Sequence, residues 1–166
     1  TGVGDVFFAF NVGGAPLQID PVNLNYTTPA GTKYNIKTLR FIISDLRLHT
    51  DDGKSVLLKS VHYYDLGDPT TQSIHIANLP HANFVSVSFT FGLKTASNHR
   101  NAYPSIPDLM VWPPHLGSDL GYHYMQLEGD YETDPGTHAT ASYLTHTGPR
   151  HLDGNSLTYP GIVSLA

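Results

Sequence analysis

At 166 residues, with only 14 % charged residues and a net charge of −5, the chain has the size of one domain, residues 1–166, that folds without covalent staples. Its nine basic residues are scattered, which excludes a phosphate-neutralising nucleic-acid surface and a polybasic membrane anchor. No apolar run approaches the ~18 residues of a membrane span, and zero cysteines exclude disulfides, thiolate metal sites and a cysteine nucleophile.

Any metal must therefore be held by His, Asp, Glu, Met or backbone oxygen. The chain starts at Thr1 with no signal peptide, so it reads as a mature or trimmed form, and a lipidated anchoring cysteine would have been removed. Abundant small polar, Gly and Pro residues and ten tyrosines suggest a β-rich, extracytoplasmic protein.

Strand-like alternation recurs every ~10–20 residues with turn chemistry between, which predicts an all-β antiparallel β-sandwich. Residues 3–12 read as a first strand closed by Gly13-Gly14. Residues 35–49 read as a long strand with Ile36, Leu39, Phe41, Ile43 and Leu46 facing the core, interrupted by Asp45 and Arg47. Asp51-Asp52-Gly53-Lys54 is a hairpin signal, and residues 55–64 return. After a short strand at 73–76, residues 84–93 alternate so as to bury Val85, Val87, Phe89, Phe91 and Leu93. Residues 94–121, with Pro104, Pro107, Pro113 and Pro114, break the pattern, and a proline-rich loop of that length is more often functional than idle. Residues 121–131 and 138–147 are strands joined around Asp134-Pro135-Gly136, and 157–166 reads as a last strand.

Of the ten histidines, His75, His81, His138 and His151 read as surface residues. His49 and His62 flank one hairpin; pairing 49 with 56 and 62 with 43 separates them by roughly 20 Å at ~3.3 Å per residue, so they cannot share an ion. Alternation puts Tyr122, Tyr124, Gln126 and Glu128 on one face and His123, Met125 and Leu127 on the other. A hairpin centred at Asp134-Pro135 sets 123 opposite 146, 125 opposite 144 and 127 opposite 142. Directly opposed Cβ atoms lie ~4.5–5.5 Å apart, which suits His123 and His146 converging on one ion; two imidazoles bonded to loop carbonyls is the alternative. A histidine beside a thioether suggests a soft or borderline metal such as copper. Met125, Trp112, His99, His115, Asp108 and Asp119 are the candidates to complete the shell, and for Trp112 a packing role is the plain alternative.

Several segments together resemble the MbnP-like copper-binding family of secreted and surface proteins. Asn11-Val-Gly-Gly-Ala-Pro-Leu17 is similar to its opening strand and turn, and residues 34–49 to its long second strand, followed by the Asp52-Gly53 hairpin. Residues 85–92 resemble a later core strand. The most specific likeness is Met110-Val-Trp112 followed by Gly121-Tyr-His-Tyr-Met-Gln-Leu-Glu-Gly129. Trp-Pro, Tyr-His-Tyr-Met and His146-Thr-Gly together resemble the branch common in Bacteroidetes-type bacteria.

The resemblance implies an extracytoplasmic β-sandwich that binds copper without catalysis. In characterised members two histidines and a tryptophan oxidised to kynurenine, by a separate dihaem enzyme, hold the ion; such a change here would fall on Trp112, the only tryptophan. Relatives continue beyond the point corresponding to Ala166 with further strand. The rival expectation is a surface lipoprotein accessory of an outer-membrane uptake or assembly complex, with the 94–121 loop as its contact. An enzyme is the weakest reading, because nucleophile motifs, phosphate loops and paired carboxylates at diagnostic spacing are missing.

Overall fold

In the computed structural model, which describes residues 1–112, 121–149 and, by backbone pairing alone, 159–164, the long apolar strand is the axis of the architecture. In chain order the strands are β1 (Gly2–Phe7), β2 (Asn11–Val12), β3 (Ala15–Pro16), β4 (Tyr26–Thr27), β5 (Lys33–Tyr34), β6 (Thr38–Thr50), β7 (Ser55–Asp65), β8 (Ser73–Leu79), β9 (Phe84–Phe91), β10 (Met125–Asp134), β11 (Ala139–Thr147) and β12 (Tyr159–Ser164). All pairings are antiparallel, in an all-β, sandwich-like fold. The main sheet runs β12-β9-β6-β10-β5-β4, with β7 on the other edge of β6 and β11 on the other edge of β10; β1 and β8 form a separate ribbon.

One edge of β6 is shared by two neighbours. Ile43–Thr50 pair with β9, whereas Thr38–Phe41 pair with β10. The fork lies at Ile42, whose N–H donates to the Tyr124 carbonyl at 2.9 Å and whose carbonyl accepts from Gly92 N–H at 2.7 Å. The chain between β9 and β10 therefore leaves and re-enters the sheet at one point, and Leu93, Ile106, Met110 and Tyr122 cover Ile42 on one face.

Period-two alternation along β6 sends its side chains to two cores. Leu39, Phe41, Ile43 and Leu46 join Tyr64, Ile74 and Ile76 under the β1–β8 ribbon, with Phe8, Phe10, Met125 and Leu127 packed against them. Ile42 instead joins Leu93, Ile106, Met110, Tyr122 and Tyr124 beneath the crossover segment. The predicted core set of residues 35–49 is thus buried throughout, Ile36 included. Asp45 does not merely interrupt the apolar face. At φ 53° and beside a β-bulge, it shifts the parity so that Leu46 regains the face of Ile43, while its carboxylate accepts from Arg47 Nε at 2.7 Å.

Four sequence expectations need correction. The first strand is two elements, with Phe8 and Phe10 between them set edge-on against Phe41 and Tyr64. Val85 is 40 % exposed rather than buried, and Leu93 lies in the second core, not with Val87 and Phe89, while Phe91 packs against both. The switch is Gly92, at φ +88°, where a Cβ would come 2.3 Å from the Tyr124 ring. Finally, Asp134 pairs with Ala139, so the last hairpin has a four-residue loop, and an upstream bulge brings Gln126, not His123, opposite His146. The Asp134 carboxylate holds that wider turn by accepting from Gly136 N–H and Thr137 Oγ1.

His49 and His62 are separate structural residues: Ile43 pairs with His62 as expected, His49 faces Ser55, and their rings bond Ser88 Oγ and the Thr71 carbonyl respectively. Burial holds the His62 pKa below its ordinary value, helped by the nearby Lys59 charge and opposed by the bond to Thr71. Unfolded, this ring takes a proton near pH ~6.5; folded, it does so only at lower pH. Between those values the unfolded state binds more protons, so stability falls as the pH falls. The urea midpoint should be level from pH 8 to 7 and drop from pH 7 to 5, with a smaller drop in His62→Gln. An unchanged drop in that variant would remove His62 from the account.

Candidate metal centre

The site forms where the returning chain has not yet become a regular strand. Val111 and Tyr122 make an isolated bridge, Trp112 N–H donates to the Gly121 carbonyl at 2.8 Å, and His123 N–H donates to the Met110 carbonyl at 2.7 Å. Asn98, 5 % exposed, holds the same segment from below: its Oδ1 accepts from Tyr122 N–H at 2.7 Å and its Nδ2 donates to the Tyr122 carbonyl at 3.2 Å. That side chain substitutes for a neighbouring strand. On the far side Tyr124 N–H donates to the Thr147 carbonyl, which brings the end of β11 alongside.

Three rings meet there. The Trp112 and His123 centroids are 4.4 Å apart, and those of His123 and His146 are 4.8 Å apart at an interplanar angle of 81°. Trp112 is seated on backbone, since a Cβ on Gly148 would lie 2.4 Å from its six-membered ring. Its Nε1 is buried with no hydrogen-bond partner among the described residues, whereas a buried indole N–H usually finds one. Thr147 Oγ1, between His146 and Gly148 in the chain, is another such atom.

The histidine rings differ in setting. His123 is 4 % exposed, and its Nδ1 donates to the Met110 carbonyl at 3.1 Å. Burial lowers its pKa below the ordinary histidine value, and the adjacent His146 adds to this, so His123 is held as a neutral imidazole. His146 is more open, with Nε2 donating to Glu128 Oε1 at 2.7 Å. Glu128 lies opposite Leu144, one diagonal step from His146. Gln126, directly opposite His146, is committed elsewhere: its Nε2 donates to the Leu109 carbonyl at 3.0 Å and its Oε1 accepts from Arg40.

Of the residues singled out in the sequence, Trp112, His123 and His146 therefore come together, although by a register other than the predicted one. Met125 does not join them. It pairs with Phe41 and packs in the core under the β1–β8 ribbon, on the opposite face of the sheet. His99 bonds within its own turn, with Nε2 donating to the Ala96 carbonyl at 3.1 Å, and Asp108 is exposed on a 3-10 turn. His115, Asp119 and His151 lie outside the described residues. Among the described residues no group of three or more His, Cys, Asp or Glu side chains converges as a metal cage.

Two imidazoles, each with one nitrogen committed to an oxygen, fit a borderline metal better than a hard one. The chemistry of the donor set thus agrees with copper, and the indole completes the cleft's third side. A family model described as MbnP matches residues 4–163. The chain belongs to the MbnP family. That membership makes it a copper-related module. Among solved structures it is similar to MbnP from Methylosinus trichosporium, with a TM-score of 0.63 and 14 % identity over 98 % of this chain and 71 % of that one. Likeness at this identity speaks for the MbnP fold. No curated protein sequence matches the chain. Among the described residues no helix is long and apolar enough to cross a membrane.

Sequence reasoning missed four residues of the site. Asn98 and Gly148 act through tertiary contacts that no spacing encodes, and the Met110 carbonyl is backbone. Glu128 was visible on the same alternating face as Gln126, but only the true register sets it diagonal to His146.

Proposed function

We propose that this protein is an extracytoplasmic, non-catalytic copper-binding module in which His123 and His146 are the imidazole ligands and Trp112 closes the third side. One observation carries the reading: two histidine rings 4.8 Å apart, each with a ring N–H committed to an oxygen that only accepts, leaving one lone pair apiece. Nitrogens of rings so close can both reach an ion at the ~2.0–2.1 Å typical of metal–imidazole bonds. The unpartnered Trp112 Nε1 supports a role for the indole beyond packing, and Trp112 is where oxidation to kynurenine would fall.

The chain's part is to present two imidazoles and to exclude water from His123. Copper at a hundred times its dissociation constant should stabilise the fold by about 2.7 kcal/mol. Thermal unfolding with and without copper measures this, and His123→Ala and His146→Ala should each abolish the shift. No copper-dependent shift in the parent protein, or an undiminished one in both variants, would overturn the reading. Intact-mass measurement of the native protein, localised to the peptide holding Trp112, reports any gain of oxygen with loss of carbon.

A further inference from the structure

The hydrogen bonds in the cleft say more than that two histidines are near each other. A peptide carbonyl and a carboxylate have lone pairs but no proton to give, so the ring nitrogen facing either must carry the hydrogen. Met110, itself fully buried, offers one carbonyl to both His123 N–H at 2.7 Å and His123 Nδ1 at 3.1 Å. This double contact holds the His123 ring and its backbone N–H on one Met110 carbonyl. Glu128 reaches Nε2 of His146 at 2.7 Å, from the diagonal cross-strand position. No other described group competes for it, since Gln126 is bonded to Leu109 and Arg40.

We propose that Met110 and Glu128 set opposite tautomers in the pair, so that His123 presents Nε2 and His146 presents Nδ1 to the copper site, with Glu128 the positioning residue for His146. This rests on the copper reading above and adds the atoms and the residue that orients one of them. An acceptor on the far nitrogen of a ligating imidazole fixes ring rotation as well as tautomer, and raises the donor strength of the ligand. Glu128 is suited to this because it lies on a regular strand pair, whereas His123 hangs on the irregular stretch before β10. The rigid partner orients the exposed histidine, and the buried one is oriented by its own backbone contact.

The test begins without metal. Two-bond proton–nitrogen correlations on the full chain with labelled histidine, recorded above the histidine titration range, distinguish protonated from bare ring nitrogens. The expected result is Nδ1–H for His123 and Nε2–H for His146. In Glu128→Ala, His146 should become a tautomer mixture and copper should bind about 10–100-fold more weakly. Glu128→Gln, which keeps an accepting oxygen, should hold the Nε2–H tautomer and lose less. A parent His146 protonated on Nδ1, or an unchanged tautomer and copper affinity in Glu128→Ala, would overturn the proposal. If His146→Ala loses copper while Glu128→Ala does not, the copper reading stands and this one falls. If both histidine variants bind copper like the parent, the copper reading falls and takes the ligand-atom assignment with it.

Discussion

Phe41→Ala is expected to cost about 3–5 kcal/mol, the range for truncating a buried aromatic ring whose cavity cannot collapse. Phe41 is 4 % exposed, its ring is stacked on Tyr64 at 4.6 Å, and Phe8, Phe10 and Phe91 lie within 5.6 to 5.9 Å. Four aromatic neighbours, Tyr64 on β7, Phe91 on β9 and Phe8 and Phe10 between β1 and β2, cannot all move in to fill the void. With a urea m-value of about 2 kcal/mol/M, the midpoint should fall by on the order of 2 M. Phe41→Leu, which keeps most of the volume, should cost under about 1.5 kcal/mol. Because Phe41 points away from the histidine cleft, copper-dependent stabilisation should survive in whatever fraction remains folded. A cost below about 1 kcal/mol for the alanine variant would mean that the aromatic cluster is not the centre of this core.

Gly148→Ala should displace Trp112, a larger effect at the site than at the fold. The added methyl would meet ring carbons of the indole at 2.4 and 2.7 Å, closer than real side-chain contacts come, and the ring is rigid. Trp112 must then rotate off His123 or the end of β11 must shift. Overpacking of this kind costs about 1–3 kcal/mol. The fluorescence of this lone tryptophan should change, and copper affinity should fall. Gly2→Ala, where nothing lies within 4 Å of the added carbon, is the matched control and should change neither. Since the two residues touch, Trp112→Ala and Gly148→Ala should be non-additive in a double-mutant cycle. Additive effects would show that the indole does not rest on Gly148.

Much of this fold can be read from the chain because alternation is a local property. The core face of β6, the hairpin after His49 and the break of pattern after Leu93 all follow from residue type at period two. What does not follow is register, since a bulge or a four-residue loop moves every downstream pair. The pairing of His123 with His146 illustrates both points. The predicted opposition is wrong by three residues, yet the rings still meet, because His123 sits before the strand begins and is pulled by Met110 rather than by the ladder. Met125 shows the reverse: its face follows from alternation, and that face takes it into the apolar core and away from the site. Val85 and Leu93 depart from the pattern for reasons at the strand ends, of which only Gly92 is visible beforehand.

The fork at Ile42 bears on tolerance to insertion. A segment that departs and returns on the two backbone groups of a single residue needs no long-range closure from the rest of the sheet, and lengthening it costs only logarithmically in entropy. It can be lengthened outside its buried residues, Leu93, Ile106, Met110 and Tyr122, while β6, β9 and β10 keep their pairing. Residues added within that segment should therefore leave the aromatic core beneath the β1–β8 ribbon as it is.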